Sequence, residues 1–255
     1  MRRRGSTAVA LILLLTALAG CGGDEGPAPR GTGEGAPVQG DGAGQSTGTG
    51  RDALPPVVDR VRTRDKVVFL TYDDGAERDP RFIDLVRERR LPVSLFLTDS
   101  VVGPGYAHFA RLRAVGASLQ NHTLDHSALR GLPYAGQRAE ICGQQRKLTS
   151  RFGVRPHLFR PPYGTYDTTT LRAAADCGIT AVVLGRATLD GDGDLTYAGG
   201  AEHLTPGDII SVPSVELPSL TLADRTTRLL REIESRGLRV ARLEDYVSRV
   251  SPSGV

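Results

Sequence analysis

Three short strings carry most of the chemistry this chain could perform. They are Thr71-Tyr72-Asp73-Asp74-Gly75, His122-Thr123-Leu124-Asp125-His126 and Arg160-Pro161-Pro162-Tyr163-Gly164. The first supplies adjacent carboxylates, the second two imidazoles four residues apart, and the third an arginine beside a turn. One carboxylate with two imidazoles is a mixed oxygen and nitrogen ligand set that suits zinc and leaves a position open for water. The remaining carboxylate is then free to act as a general base. Together the strings predict metal-assisted hydrolysis.

Taken singly, each string has an ordinary structural explanation. Paired aspartates before glycine make solvated turns. Histidines at i and i+4 can simply share one face, and Arg-Pro-Pro-Tyr-Gly reads as a rigid loop. Their placement favours chemistry. Residues 66–71 form a short apolar run rich in strand formers, and the carboxylates follow it directly. Helix is predicted over 79–90, strand over 92–98, helix over 106–115, and strand over 117–120 running into His122. A long helix over 135–152 precedes a strand over 157–160 that ends at Arg160. Helix 168–177, strand 179–184, strand 208–212, helix 223–236, strand 238–241 and helix 243–250 follow. This alternation predicts an α/β fold, a distorted, incomplete (β/α) barrel of mostly parallel strands, with chemistry at the carboxyl ends of the strands. Asp73, Asp74, His122, His126 and Arg160 all fall there.

The segment from about residue 66 to 250 resembles the polysaccharide deacetylase family, also called carbohydrate esterase family four, with its NodB homology domain. TYDDG, HTLDH after Asn121, and RPPYG after Phe159 match three family motifs in order. The resemblance implies Asp73 as the base, Asp74, His122 and His126 as metal ligands, Arg160 orienting Asp73, and the Tyr163 backbone N–H at the oxyanion. It further implies one divalent metal, zinc, and an acetylated glycan as substrate. Two later motifs depart. Where the family places aspartate and tryptophan, this chain has Ala187-Thr188-Leu189-Asp190-Gly191, with Asp190 as a stand-in acid near the site and no tryptophan anywhere. Pro213 falls where the family has its general-acid histidine. Amide hydrolysis needs that proton more than ester hydrolysis does, so O-acetyl esters are the expected substrates. The alternative is a catalytically impaired glycan-binding lipoprotein on the same fold. His108, His157 and His203 match no catalytic position and are expected at the surface or behind the site.

The N-terminal residues predict where the protein resides. Arg2, Arg3 and Arg4 precede an apolar stretch over 8–19 that is too short to span a bilayer, which takes about 20 residues. Residues 1–20 read as a signal peptide, and Leu18-Ala19-Gly20-Cys21 resembles a bacterial lipobox with Cys21 acylated. The segment 21–56 reads as a flexible tether: residues 22–50 hold eleven glycines and almost no apolar side chain to bury. The catalytic domain is expected over 57–255, anchored through the lipid to the outer face of the cytoplasmic membrane. With Cys21 lipidated, Cys142 and Cys177 are the only thiols left of three, and an exported domain predicts their pairing. A net charge of +3 without basic runs gives no footprint for nucleic acid. A monomer is expected.

Overall fold

The computed structural model describes residues 53–215 and 219–247. The proposed signal peptide, Cys21 and most of the tether lie outside the described residues. Within them the architecture is a ten-stranded curled sheet wrapped by helices, and no described helix is long and apolar enough to cross a membrane.

The strands are β1 (Val57–Val58), β2 (Val67–Asp74), β3 (Ser94–Leu97), β4 (Ser118–Asn121), β5 (Leu158–Phe159), β6 (Ala181–Val183), β7 (Ala187–Leu189), β8 (Leu195–Tyr197), β9 (Ile209–Val212) and β10 (Arg239–Val240). Their order is β1-β6-β5-β4-β3-β2-β9-β7-β8, with β10 beside β2. All named pairings are parallel except β7 with β8. The longest strand, β2, is buried along all but its last residue, as a central parallel strand covered on both faces should be. Parallel order aligns the strand ends, so the end of β2 carries Asp73 and Asp74 next to the ends of β3, β4 and β9.

The helices are α1 (Pro80–Arg89), α2 (Asp99–Val102), α3 (Tyr106–Ala114), α4 (Tyr134–Phe152), α5 (Thr168–Asp176), α6 (Leu222–Ser235) and α7 (Leu243–Val247). Their starts follow from local chemistry. Asp79 caps α1 by accepting from Arg81 N–H, with Pro80 as the first helical residue. Asp167 and Thr170 form a reciprocal capping box on α5. In α6, Leu222, Thr226, Leu229, Leu230 and Ile233 are buried at helical spacing, an apolar stripe laid on the sheet. Cys142 of α4 and Cys177, at the end of α5, are joined by a disulfide.

The barrel is incomplete between β6 and β9, where the N-terminal segment fills the seam. Pro56 O accepts from Val182 N, Val58 O from Leu184 N, and Val61 N donates to Gly207 O. Arg60 bridges Asp208 beside it. The short elements β1, α2, β7 and β8 are not among those expected from the sequence. The region 187–197 is an antiparallel hairpin, not a loop. His108 is buried in α3, edge-on to Phe109, while His157 and His203 are exposed.

Candidate metal and hydrolytic site

Asp73 is the last inward-facing residue of β2 before the chain turns. Its carboxylate is 8% exposed and both oxygens are engaged. Oδ1 accepts from Arg160 Nη1 at 2.6 Å and Oδ2 from the Ser211 hydroxyl at 2.6 Å. Arg160 is itself held on several sides: Nε donates to Val183 O, Nη2 to Leu184 O, and its guanidinium lies 4.4 Å above the centre of the Phe96 ring. A buried ion pair is tolerated only when its remaining polar atoms are satisfied, and this one meets that condition. Asp73 is thereby fixed in place beside the cleft.

Asp74 turns the other way because its backbone is left-handed (φ 64°), followed by Gly75 at φ 88°. A side chain at 75 would come within 2.7 Å of Val102 Cγ2, so the glycine of the string is required sterically. Asp74 Oδ1 lies 3.0 Å from His126 Nε2 and 3.4 Å from His122 Nε2, yet it is buried without a hydrogen-bond partner. His122 Nδ1 is 2.7 Å from Arg160 O, a contact only a protonated Nδ1 can satisfy as donor. In the neutral ring the Nε2 lone pair therefore faces Asp74. Ligand atoms of Asp74, His122 and His126 lie within 4.8 Å of one another. Converging lone pairs with an orphaned carboxylate oxygen repel one another unless a cation sits between them, so the set fits a divalent metal.

Burial alone would raise the Asp74 carboxyl, but the two imidazoles outweigh it and hold it well below the usual carboxylate range. His126 is raised, chiefly by its contact with Asp74 and against the opposing effect of burial.

The histidine pair does not sit on a helix, as its i, i+4 spacing would allow. Residues 122–126 form a loop after β4, closed by Thr123 N donating to Asn121 Oδ1 and His126 N donating to Thr123 Oγ1. Thr123 and His126 both have positive φ, as do Asp74 and Tyr163. Three of the five such non-glycine residues among those described, Asp74, His126 and Tyr163, thus line one cleft, while Thr123 is buried in the loop behind it and Arg90 ends α1. Backbone strain held in place this way is typical of functional sites. Tyr163 follows two prolines, so its N–H is the first the turn after Arg160 can offer. Its ring is 70% exposed and packs edge-on to His126.

The cleft encloses about 510 Å³ and brings Asp73, Asp74, His122, His126, Arg160 and Tyr163 together. Asp190 is not among its lining residues. Its carboxylate accepts from the N–H groups of Asp192 and Asp194 and shapes the β7–β8 turn. Pro213 does line the cleft. Three hydroxyl-bearing lining residues were given no role in the sequence reading: Thr188, Ser211 and Ser214. Ser214 donates to Asp73 O and accepts from Ala76 N. Only their position after or within apolar strands could have flagged them.

The profile of the polysaccharide deacetylase family matches residues 60–182. The chain belongs to the polysaccharide deacetylase family. An uncharacterised protein of Streptomyces coelicolor is 62% identical over 96% of this chain and 98% of its own length. Chitin deacetylase 1 of Cryptococcus neoformans is 29% identical over 67% of this chain, but the match spans only 37% of the fungal protein. Among solved structures, a family-four carbohydrate esterase pseudoenzyme from Bacillus anthracis superposes with TM-score 0.65 at 16% identity, covering 77% of this chain and 70% of that one. In this deacetylase fold, the cleft at the strand ends is therefore the candidate active site.

Proposed function

We propose that the domain is a metal-dependent hydrolase that removes acetyl groups from a cell-envelope or extracellular polysaccharide, with a preference for O-acetyl esters. The observation that carries this reading is the Asp73–Arg160 pair beside the Asp74, His122 and His126 set in one open cleft. Zinc is the cation this ligand set suits; when bound it would polarise the acyl carbonyl and acidify water. Asp73, aimed by Arg160 and Ser211, accepts the proton of the attacking water. The Tyr163 N–H donates to the oxygen that becomes negative as the carbonyl carbon turns tetrahedral.

The leaving group then needs a proton or must depart without one. Among the described residues lining the cleft, the only histidines are His122 and His126, and Pro213 has no proton to give. An alkoxide leaves more readily than an amide anion, which favours esters. A polymer acetylated on amino sugars, the kind of substrate named for the chitin deacetylase relative, would be turned over more slowly. The domain acts at the outer face of the cytoplasmic membrane, held by lipid on Cys21. The second reading, a glycan-binding lipoprotein impaired in catalysis, draws on Pro213 and on the pseudoenzyme of the same fold. Matched O- and N-acetyl substrates assayed with zinc on wild type and Asp73→Ala separate the two. Asp73-dependent ester turnover exceeding amide turnover is expected. Glycan binding with no turnover of either substrate would establish the second reading instead.

A further inference from the structure

The wall of the cleft beyond Asp73 is built from Ser211, which also holds Asp73, and from Gly185 and Thr188, which the deacetylation chemistry does not use. Ser211 on β9 and Thr188 on β7 are register partners in neighbouring parallel strands, so their side chains emerge side by side on one face of the sheet. Both line the cleft. Gly185 lies against Ser211: a Cβ at 185 would stand 2.9 Å from Ser211 Cβ. No side chain at 185 therefore fills the space in front of the two hydroxyls.

The bonding of these hydroxyls is unequal. Ser211 donates its proton to Asp73 and accepts from Arg160 Nη1 at 3.3 Å. A hydroxyl has one proton and two lone pairs, so Ser211 keeps one acceptor position. The Thr188 hydroxyl has no hydrogen-bond partner among the described residues; the Thr196 hydroxyl donates to the Thr188 backbone oxygen instead. A donor and acceptors thus line this wall of the cleft, next to the base.

A substrate carbonyl placed between Asp73 and the Asp74, His122 and His126 set has two substituents to dispose of. The glycan must leave through the open mouth, where Tyr163 is 70% exposed. The acyl substituent is then directed at the half-buried wall of Gly185, Thr188 and Ser211. A methyl group would leave the Thr188 hydroxyl and the remaining acceptor position of Ser211 unused. A hydroxyl on the carbon next to the acyl carbonyl would accept from Thr188 and donate to Ser211.

Resting on the deacylase reading, we propose that this wall is an acyl-specificity pocket that favours a 2-hydroxyacyl group, such as glycolyl, over acetyl. Acetohydroxamate and glycolohydroxamate carry the same chelating head and differ by one hydroxyl on the carbon next to the carbonyl. Each would be titrated calorimetrically into the zinc-loaded full chain and its Thr188→Val and Thr188→Ser variants. Glycolohydroxamate is expected to bind wild type about fivefold more tightly, the worth of one neutral hydrogen bond. The ratio should fall to about one in Thr188→Val and persist in Thr188→Ser. Equal affinities in wild type, or a preference that survives in Thr188→Val, would overturn the acyl assignment while leaving the deacylase reading standing. Binding of neither compound by protein that holds zinc would overturn both.

Discussion

Opening the Cys142–Cys177 bridge is the perturbation whose size the fold specifies most directly. The bond closes 35 residues of sequence. Cross-links closing about 15 and 100 residues are worth about 3 and 4.7 kcal/mol in chain entropy, which puts this one at about 4 kcal/mol. The native side changes little. Gln145 still ties α4 to the end of α5 through Cys177 O, and to β5 through Pro156 O, without the sulfurs. The effect therefore resides in the unfolded chain, which expands once the link is cut. Cys142→Ser/Cys177→Ser should lower the unfolding free energy by about 4 kcal/mol and raise the urea m-value. For a domain of this size that corresponds to a drop in Tm of about 8–16 °C. Far-UV circular dichroism is the suitable signal because the chain has no tryptophan. Both proteins should be measured with chelator so that metal linkage does not enter. A loss below about 1 kcal/mol, or an unchanged m-value, would refute the entropic account.

His122→Ala removes one of three ligand atoms and should abolish stoichiometric zinc in dialysed protein; elemental analysis finding one zinc per chain would reject the triad as the site. Gly185→Ala forces a methyl group against Ser211 at 2.9 Å and should lower kcat about tenfold, equivalent to about 1.4 kcal/mol of barrier, with zinc content unchanged. Wild-type turnover in that variant would show that Ser211 does not aim Asp73. Asp79 caps α1 and also accepts from Ala223 N on α6. Burial raises its carboxyl, but the N–H donors and Arg81 outweigh this and leave it below its ordinary value. Its stabilising contribution is therefore complete above the unfolded value of about 3.9 and is lost as pH falls through the lower folded value. The stability gap to Asp79→Ala, about 1 kcal/mol, should be full at pH 7 and shrink in acid; a gap that does not vary between pH 7 and 2 would contradict this.

What the sequence disclosed depended on how local the cause was. Asp73, Asp74, His122, His126 and Arg160 stand directly after short apolar runs, so strand-end chemistry was visible in one dimension. The hydroxyls at 188 and 211 were not, because serine and threonine within strands look like ordinary strand residues until register pairs them. Gly185 was silent because its reason is Ser211, distant in sequence and in contact only after folding. The Asp190 carboxylate also serves its own turn, accepting from Asp192 N and Asp194 N, a local role that its position in sequence did not announce. The hairpin of β7 and β8 was missed since each strand is three residues long, too short for alternation to register. The histidine spacing suggested a shared helical face, whereas Asn121 and Thr123 side chains build the loop that brings the rings together.

The seam between β6 and β9 bears on where this domain begins. Similarity to the family starts at residue 60, but Val57 and Val58 pair with β6, and Val58 and Val61 are packed in the core. A fragment cut to the similar region would bare the backbone edge of β6 and open a slot beside Gly207. Unpaired parallel edges of this kind recruit other chains. The smallest unit that folds cleanly therefore begins before Pro56, several residues upstream of the point at which sequence similarity becomes detectable.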